Sequence, residues 1–177
     1  MLDKVDEAPL REAEGGLVPE GEGWFVVNVA DAQGLHTERF GDGCRFEGAE
    51  RFDELGFNVR VLKPGQPASM YHREGSQEAF LVIAGECLAI VEDAERPMRA
   101  GDFLHLPPGT AHVIVGAGEG PSVVVMAGAR KPTTEILFPA SEVAARYGAA
   151  VEADTSDFAT AYAGTSPPAP ASLGLPW

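Results

Sequence analysis

Hydrophobic and polar residues alternate along several short stretches of this chain. In the clearest stretch, Phe57, Val59 and Val61 fall on one face while Asn58 and Arg60 fall on the other. This alternation predicts a β-strand with one buried face, because successive side chains of a strand point to opposite sides. Further strands are predicted at 24–29, 69–74, 78–83, 87–91, 98–106, 112–115 and 122–127. Strands spaced about ten residues apart, with turn residues between them, are typical of a sandwich or barrel.

Turn-forming residues interrupt the pattern throughout. The chain contains 21 glycines and 14 prolines, which favour many short strands over long helices. Two short helices are predicted near the end, where Ser141 can cap 142–147 and Ser156 can cap 157–162, each followed by a glycine. We therefore expect an all-β fold with two short C-terminal helices.

The length of 177 residues predicts one domain, and no internal repeat suggests a second barrel. Residues 1–22 are acidic and interrupted by Gly and Pro, so we expect an arm that is disordered or lies over a neighbouring molecule. A β-barrel is predicted at 23–130 and an extension with the two helices at 131–164. The Pro-rich segment 165–177 is predicted to be a disordered tail.

Composition excludes some functions and favours one location. The formal net charge of −14 argues against binding nucleic acid, whose backbone requires Lys and Arg. No apolar run approaches the roughly 20 residues of a membrane helix, and the first residues lack the basic and apolar regions of a signal peptide. Cys44 and Cys87 form no CxxC pair and fit reduced thiols. We therefore expect a cytoplasmic protein.

Four metal-ligating side chains fall within the predicted strands. His72 and Glu74 share one face of a strand, Glu78 begins the next strand, and His112 lies on another. They can converge, because neighbouring strands lie only about 4.8 Å apart. Two imidazoles with carboxylates suit Fe(II), Mn(II), Ni(II) or Zn(II), and are too rich in nitrogen for Ca(II) or Mg(II). The alternative is an internal hydrogen-bonded network without a metal.

Other residues are candidates for the wall of a pocket. Four apolar residues share faces with the metal-ligand candidates and should line it: Met70, Phe80, Val82 and Ile114. Arg60 either enters the pocket to hold an anionic substrate or forms a salt bridge at its rim. His105 either lines the pocket or faces solvent.

The segment that ends at His112 resembles a conserved motif of a known family. Gly101-Asp-Phe-Leu-His-Leu-Pro107-Pro-Gly109-Thr-Ala-His112 resembles the second motif of the cupin superfamily. One departure is Gly116, where that motif usually carries Asn.

The upstream segment resembles the first cupin motif, which has Gly, then His-x-His, then three or four residues to Glu, then six to Gly. Glu78 and Gly85 match its last part. A three-residue spacer places the two His positions on His72 and Glu74, whereas a four-residue spacer places them on Tyr71 and Arg73 and gives no ligand. The first register is adopted, because it uses the histidine of this segment.

The resemblance covers about residues 56–127 and extends to small single-domain bacterial cupins. It implies a double-stranded β-helix, or jelly roll, and a homodimer in which a strand near the N-terminus completes the partner's sheet. It also implies one metal ion held by His72, Glu78 and His112, with Glu74 as fourth ligand or general base. The expected function is a dioxygenase- or isomerase-type reaction on a small organic molecule. The alternatives are a non-catalytic binding or sensor protein and a degenerate barrel without metal.

Overall fold

The computed structural model describes residues 4–131 and 135–176. Within these residues the chain forms short strands and two helices of one turn each. The elements are β1 (Leu10–Ala13), β2 (Gly16–Pro19), β3 (Gln33–His36), β4 (Asp42–Arg45), β5 (Leu55–Leu62), β6 (Arg73–Glu74), β7 (Glu78–Ala84), β8 (Glu86–Val91), β9 (Ala94–Arg99), β10 (Phe103–Leu106), β11 (His112–Ala117), β12 (Ser122–Ala129), β13 (Ile136–Leu137), α1 (Glu142–Ala145), α2 (Phe158–Ala161) and β14 (Ala169–Ser172).

The strands form two facing antiparallel sheets. The larger sheet has the order β10-β7-β12-β5-β4-β3-β14, and the smaller has the order β11-β8-β9. Strand pairs β13-β6 and β1-β2 complete the fold. Apolar side chains from both sheets meet in one buried cluster, which includes Phe80 and Val124 from the larger sheet and Ala89 and Ile114 from the smaller. The prediction of an all-β jelly roll with two short C-terminal helices is confirmed, in the form of a sandwich of two separate sheets.

Strand β5 shows the predicted alternation, and its polar side faces the interior. Asn58 and Arg60 line a cavity between the sheets, and the next residue on this face, Leu62, is buried in the core. On the opposite face, Val59 packs in a second apolar cluster with Cys44. The structure places both cysteines as buried free thiols. Burial raises the pKa of each thiol to about 11, so neither is an activated nucleophile.

The two chain ends differ from expectation. Leu10–Ala13 and Gly16–Pro19 pair with each other as a hairpin, where one of the two predicted alternatives was a disordered arm. Ala169–Ser172 pairs with β3, where a disordered tail was predicted. Pro170 is compatible with this position because β14 is an edge strand, which needs only half of its N–H groups for pairing. Leu173 then buries its side chain in the second apolar cluster, which anchors the tail.

The strand predicted at 24–29 does not form. Trp24 makes an isolated bridge to Glu7, and Val26 is 79% exposed. The alternation is nevertheless real, because Val27 and Val29 pack against the second apolar cluster. The segment is thus extended chain with one buried side, and its pattern alone could not show whether a neighbouring strand was available.

Both predicted helices are present and shorter than expected. Ser141 caps α1 by accepting a hydrogen bond from the Ala144 N–H at 3.0 Å. The cap of α2 is Asp157 and not Ser156, because the Asp157 carboxylate accepts from the N–H groups of Ala159 and Thr160. None of the helices in residues 4–131 and 135–176 is long and apolar enough to cross a membrane.

Gly116 allows β11 to approach the turn that follows β5. Its N–H donates to the Gln66 carbonyl at 2.9 Å, and its own carbonyl accepts from the Gly65 N–H at 2.8 Å. A Cβ atom at this position would lie 2.2 Å from the carbonyl oxygen of Lys63. The departure from the usual Asn therefore has a local steric cause in this chain.

We expect Gly116→Ala to lower the free energy of unfolding by about 1–3 kcal/mol, because the backbone must move to relieve the contact. Thermal or urea unfolding measures this loss. Gly120→Ala is the matched control, since a Cβ there would meet nothing within 4 Å. Equal stability of the two variants would show that the close approach at Gly116 is unimportant.

An ion pair fastens the loop after β4 to the end of β12. Arg130 donates to both carboxylate oxygens of Glu47, at 2.5 and 3.0 Å, and also to the carbonyl of Phe52. The Glu47 side chain is only 7% exposed. The hydrogen bond from Arg130 is the main cause that lowers the pKa of Glu47.

Glu47→Gln should therefore reduce the free energy of unfolding at pH 7 by about 1–2 kcal/mol, the size of a charge-assisted hydrogen bond. Because the pKa is lowered in the folded state, this stabilisation is present above the pKa of an unfolded Glu, about 4.3, and is lost as the pH falls further. Unfolding curves of wild type and variant should converge below that pH. Glu50→Gln, an exposed residue of the same loop, is the control. A difference that stays constant down to pH 3 would contradict the ion-pair explanation.

Candidate metal centre

Three of the four metal-ligand candidates converge at one point between the sheets. His72, Glu78 and His112 each offer a donor atom, and these atoms lie within 4.8 Å of one another. Glu78 begins β7 of the larger sheet, and His112 begins β11 of the smaller sheet. The site therefore joins the two layers of the sandwich.

Backbone pairing places the two imidazoles side by side. The His72 N–H donates to the His112 carbonyl at 3.1 Å, and the His112 N–H donates to the His72 carbonyl at 2.8 Å. This reciprocal pair forms an isolated antiparallel bridge. Directly opposite residues of such a bridge project their side chains to the same side. The ring centroids consequently lie 4.8 Å apart.

Each ring is also held by one of its nitrogens. Nδ1 of His72 lies 2.8 Å from the Met70 carbonyl oxygen, and Nδ1 of His112 lies 3.0 Å from the Thr110 carbonyl oxygen. Because a carbonyl oxygen only accepts, each Nδ1 must carry the proton. Nε2 of a neutral ring then presents a lone pair to the centre. This arrangement is the one that orients histidine ligands in metal sites.

The contact between His112 and Glu78 tests whether a metal fits. Nε2 of His112 lies 3.1 Å from Oε2 of Glu78, and both side chains are largely buried, at 3% and 17% exposure. A neutral ring protonated on Nδ1 and a carboxylate would direct two lone pairs at each other. The contact is favourable only when a positive centre lies between them, either a proton or a metal ion. The donor set of two nitrogens and one oxygen fits a divalent transition metal.

The surroundings favour a neutral imidazole at His72. Burial is the main cause that lowers the pKa of His72, and the neighbouring His112 lowers it further. Phe80 packs edge-on against the His112 ring at 5.3 Å, and Phe138 lies 6.1 Å from the His72 ring. These aromatic groups provide a low-dielectric wall on one side of the donors.

The donors face a cavity of about 530 Å³. Among the residues predicted for the pocket, Arg60, Phe80 and Ile114 line this cavity. Glu74 lines it as well, but its carboxylate is not among the three donor atoms that lie within 4.8 Å of one another. Burial and the nearby Glu78 raise the pKa of Glu74.

Three residues predicted for the pocket lie elsewhere. Met70 is buried in a cluster with Phe138, because residues 67–72 are irregular and the two-residue alternation does not hold there. Val82 shares a face with Phe80 but is sealed in the core at 0% exposure. His105 is exposed on the outer side of β10, since its neighbours Leu104 and Leu106 turn inward.

Several cavity residues were not singled out from the sequence, and two of them lie opposite each other on neighbouring strands. Asn58 and Met126 are directly paired on β5 and β12, and both line the cavity. The Oδ1 atom of Asn58 is buried and has no hydrogen-bond partner within the described residues. Its alternation with Arg60 was the available signal, because residues two apart on a strand share a face.

Comparison with known proteins agrees with this fold. Residues 58–128 match the family model of the cupin domain. A predicted oxalate decarboxylase from Thermotoga maritima is 17% identical with a TM-score of 0.54, over 60% of this chain and 100% of that chain. The polyketide cyclase RemF from Streptomyces resistomycificus is 12% identical with a TM-score of 0.53, over 63% and 83% of the two chains.

A sugar phosphate isomerase of the cupin superfamily from Silicibacter pomeroyi is 24% identical with a TM-score of 0.49, over 61% of this chain and 66% of that chain. The chain thus spans slightly less than two thirds of that isomerase. No curated protein matches the sequence. The family match identifies a cupin domain at residues 58–128 of this chain, and the shared fold agrees with it.

Proposed function

We propose that the protein binds one divalent transition-metal ion, Fe, Mn, Ni or Zn, through His72, Glu78 and His112. The observation that carries this proposal is the 3.1 Å contact between Nε2 of His112 and Oε2 of Glu78. A metal ion supplies the positive charge that these two lone-pair atoms require. It also leaves both Nδ1–H groups bonded to their carbonyl oxygens.

The metal site would serve a reaction on a small organic molecule. A bound ion supplies Lewis-acid or redox chemistry, which suits an isomerase-type or an O₂-dependent, dioxygenase-type reaction. Phe80, Ile114 and Met126 form the apolar wall that would exclude water and position the substrate. Glu74 lies in the same cavity and would act as a fourth ligand or as the general base that removes a substrate proton.

The same contact favours one alternative. A proton between His112 and Glu78 would satisfy both atoms, and the site would then be a hydrogen-bonded network in a barrel that has lost its metal. A non-catalytic protein that binds a small molecule, with or without metal, is the other alternative. Metal content distinguishes the first alternative from the proposal, and turnover of a bound molecule by metal-loaded protein distinguishes the second.

Three further proposals concern location, assembly and partners. A cytoplasmic location is supported by the two buried free thiols.

A homodimer is supported by an exposed apolar patch on adjoining strands of the larger sheet, which we name the outer patch. It consists of Leu81, Ile83 and Phe103, which are 38%, 41% and 66% exposed. The N-terminal strands β1 and β2 pair with each other, so the outer patch is the better candidate for the interface. The acidic net charge supports a protein without nucleic-acid partners.

Protein purified without chelator should contain about one transition-metal ion per chain, as measured by elemental mass spectrometry. His72→Ala and His112→Ala should each weaken metal affinity by at least about 100-fold, since even changes outside the ligand set cost 10–100-fold. His105→Ala is the matched control, because this histidine is exposed and outside the cavity. Circular dichroism checks that each variant is folded.

Two results would contradict the metal proposal. One is a folded wild-type protein that binds none of Fe, Mn, Ni or Zn when the ions are added back. The other is metal binding that is unchanged in both cavity variants.

The dimer proposal predicts a light-scattering mass of about twice the 18.6 kDa of one chain. Phe103→Asp should shift the protein to the monomer, because it places a charge at the most exposed residue of the outer patch. Val5→Asp, at an exposed apolar residue of the N-terminal segment, is the control. A wild-type protein that stays monomeric at high micromolar concentration would overturn this proposal.

A further inference from the structure

The cavity beside the metal-ligand candidates contains an arginine that points inward from β5. Arg60 lines this cavity and also a neighbouring cavity of about 690 Å³. Gly43 lies opposite Arg60 on β4, and a Cβ atom at Gly43 would lie 2.9 Å from Cδ of Arg60. The side chain of Arg60 therefore extends across β4 through space that is open because Gly43 has no side chain.

Arg60 differs from Arg130 of the same cavity in having no ion-pair partner among the described residues. Arg130 is paired with Glu47, and Lys131 donates to the Gly75 carbonyl at 3.0 Å. Unlike these two cations, Arg60 makes no hydrogen bond or ion pair with any residue in the described parts of the chain. Burial is the main cause that lowers the pKa of Arg60, and the nearby Arg45 lowers it further, whereas the carboxylate of Asp42 acts in the opposite direction without forming an ion pair. A partly buried guanidinium without a partner is costly to maintain.

A second polar group on the same face also lacks a partner. Oδ1 of Asn58, two residues before Arg60 on β5, is buried without a hydrogen bond. A carboxamide oxygen only accepts, so it can be satisfied by a donor such as a hydroxyl group. The cavity thus offers the guanidinium of Arg60, which can pair with an anion. Two residues away on the same strand it offers Oδ1 of Asn58, which can accept a hydrogen bond from a donor.

We propose that the cavity binds a small hydroxylated organic anion, with its oxyanion group on the guanidinium of Arg60 and a hydroxyl group donating to Asn58. A guanidinium pairs with a carboxylate or a phosphate monoester through two parallel hydrogen bonds, so these two groups share the chemistry that Arg60 recognises. The inference rests on the proposed function only in placing this ligand beside the metal. The anion contact itself involves residues outside the metal-ligand set.

The test compares three probes of similar size: glycerol, glycerate and glycerol 3-phosphate. Calorimetric titration is carried out on metal-free and on zinc-loaded protein. We expect glycerate or glycerol 3-phosphate to bind wild-type protein at least about tenfold more tightly than neutral glycerol in both forms. The anion that binds better identifies the oxyanion as carboxylate or phosphate.

Variants assign the binding to the two residues. Arg60→Met should weaken binding of the preferred anion by about tenfold or more, whereas Arg60→Lys should retain part of it. Asn58→Leu should weaken binding of the preferred anion, but this variant should still bind the anion more tightly than glycerol. Arg96→Met makes the same charge change at an exposed residue of β9 and should bind like wild type. We also expect Arg60→Met to be as thermally stable as wild type, because it removes an unpaired buried charge.

Two results would overturn the inference. In the first, neither anion binds wild-type protein more tightly than glycerol. In the second, Arg60→Met binds the preferred anion as wild type does. Zinc binding, measured on the same samples, reports on the metal proposal separately, since Arg60→Met should load zinc normally.

Discussion

The reciprocal hydrogen-bond pair between His72 and His112 is the constraint on which the rest of the site depends. It joins an irregular segment to the first residue of β11, and it fixes two imidazoles on the same side of the backbone. The carbonyl groups of Met70 and Thr110 then select the tautomer of each ring. Four hydrogen bonds to backbone carbonyl groups thus determine where the two Nε2 lone pairs point, before any ligand is considered. Such preorganisation lowers the cost of assembling a metal site.

The cavity holds charged groups of both signs. Glu74, Glu78 and Arg60 all line it, with Glu78 on β7 and Arg60 on β5 of the larger sheet. Arg60 forms no ion pair with either carboxylate. A ligand that reaches from the metal-ligand side to Arg60 would therefore meet a positive group at each end. Glu47 neutralises Arg130, which also lines the cavity, whereas Arg60 has no such ion pair.

Much of the fold could be predicted from the sequence because the sheets obey a simple periodicity. The alternation at β5 and the capping serine of α1 are local signals, and the structure contains both. The convergence of His72, Glu78 and His112 followed from motif spacing and from the short distance between neighbouring strands.

Other features depend on contacts between distant parts of the chain. The pairing of Ala169–Ser172 with β3 requires a free sheet edge and a buried site for Leu173, which no local pattern reveals. Met70 was misplaced because an irregular segment does not keep strand alternation. The lack of an ion-pair partner for Arg60 among the described residues is likewise a property of the assembled cavity. Tertiary context decides such features, and periodicity describes only which side of the chain is apolar.

The central claim is that a metal ion lies between the lone pairs of His72, Glu78 and His112. Anomalous diffraction at the absorption edge of the bound metal, on crystals of protein purified without chelator, tests it most directly. The account predicts one strong peak within about 2.0–2.2 Å of Nε2 of both histidines and of a Glu78 oxygen. A well-ordered site without such a peak, in crystals soaked with each candidate metal and with His112 bonded directly to Glu78, would contradict it.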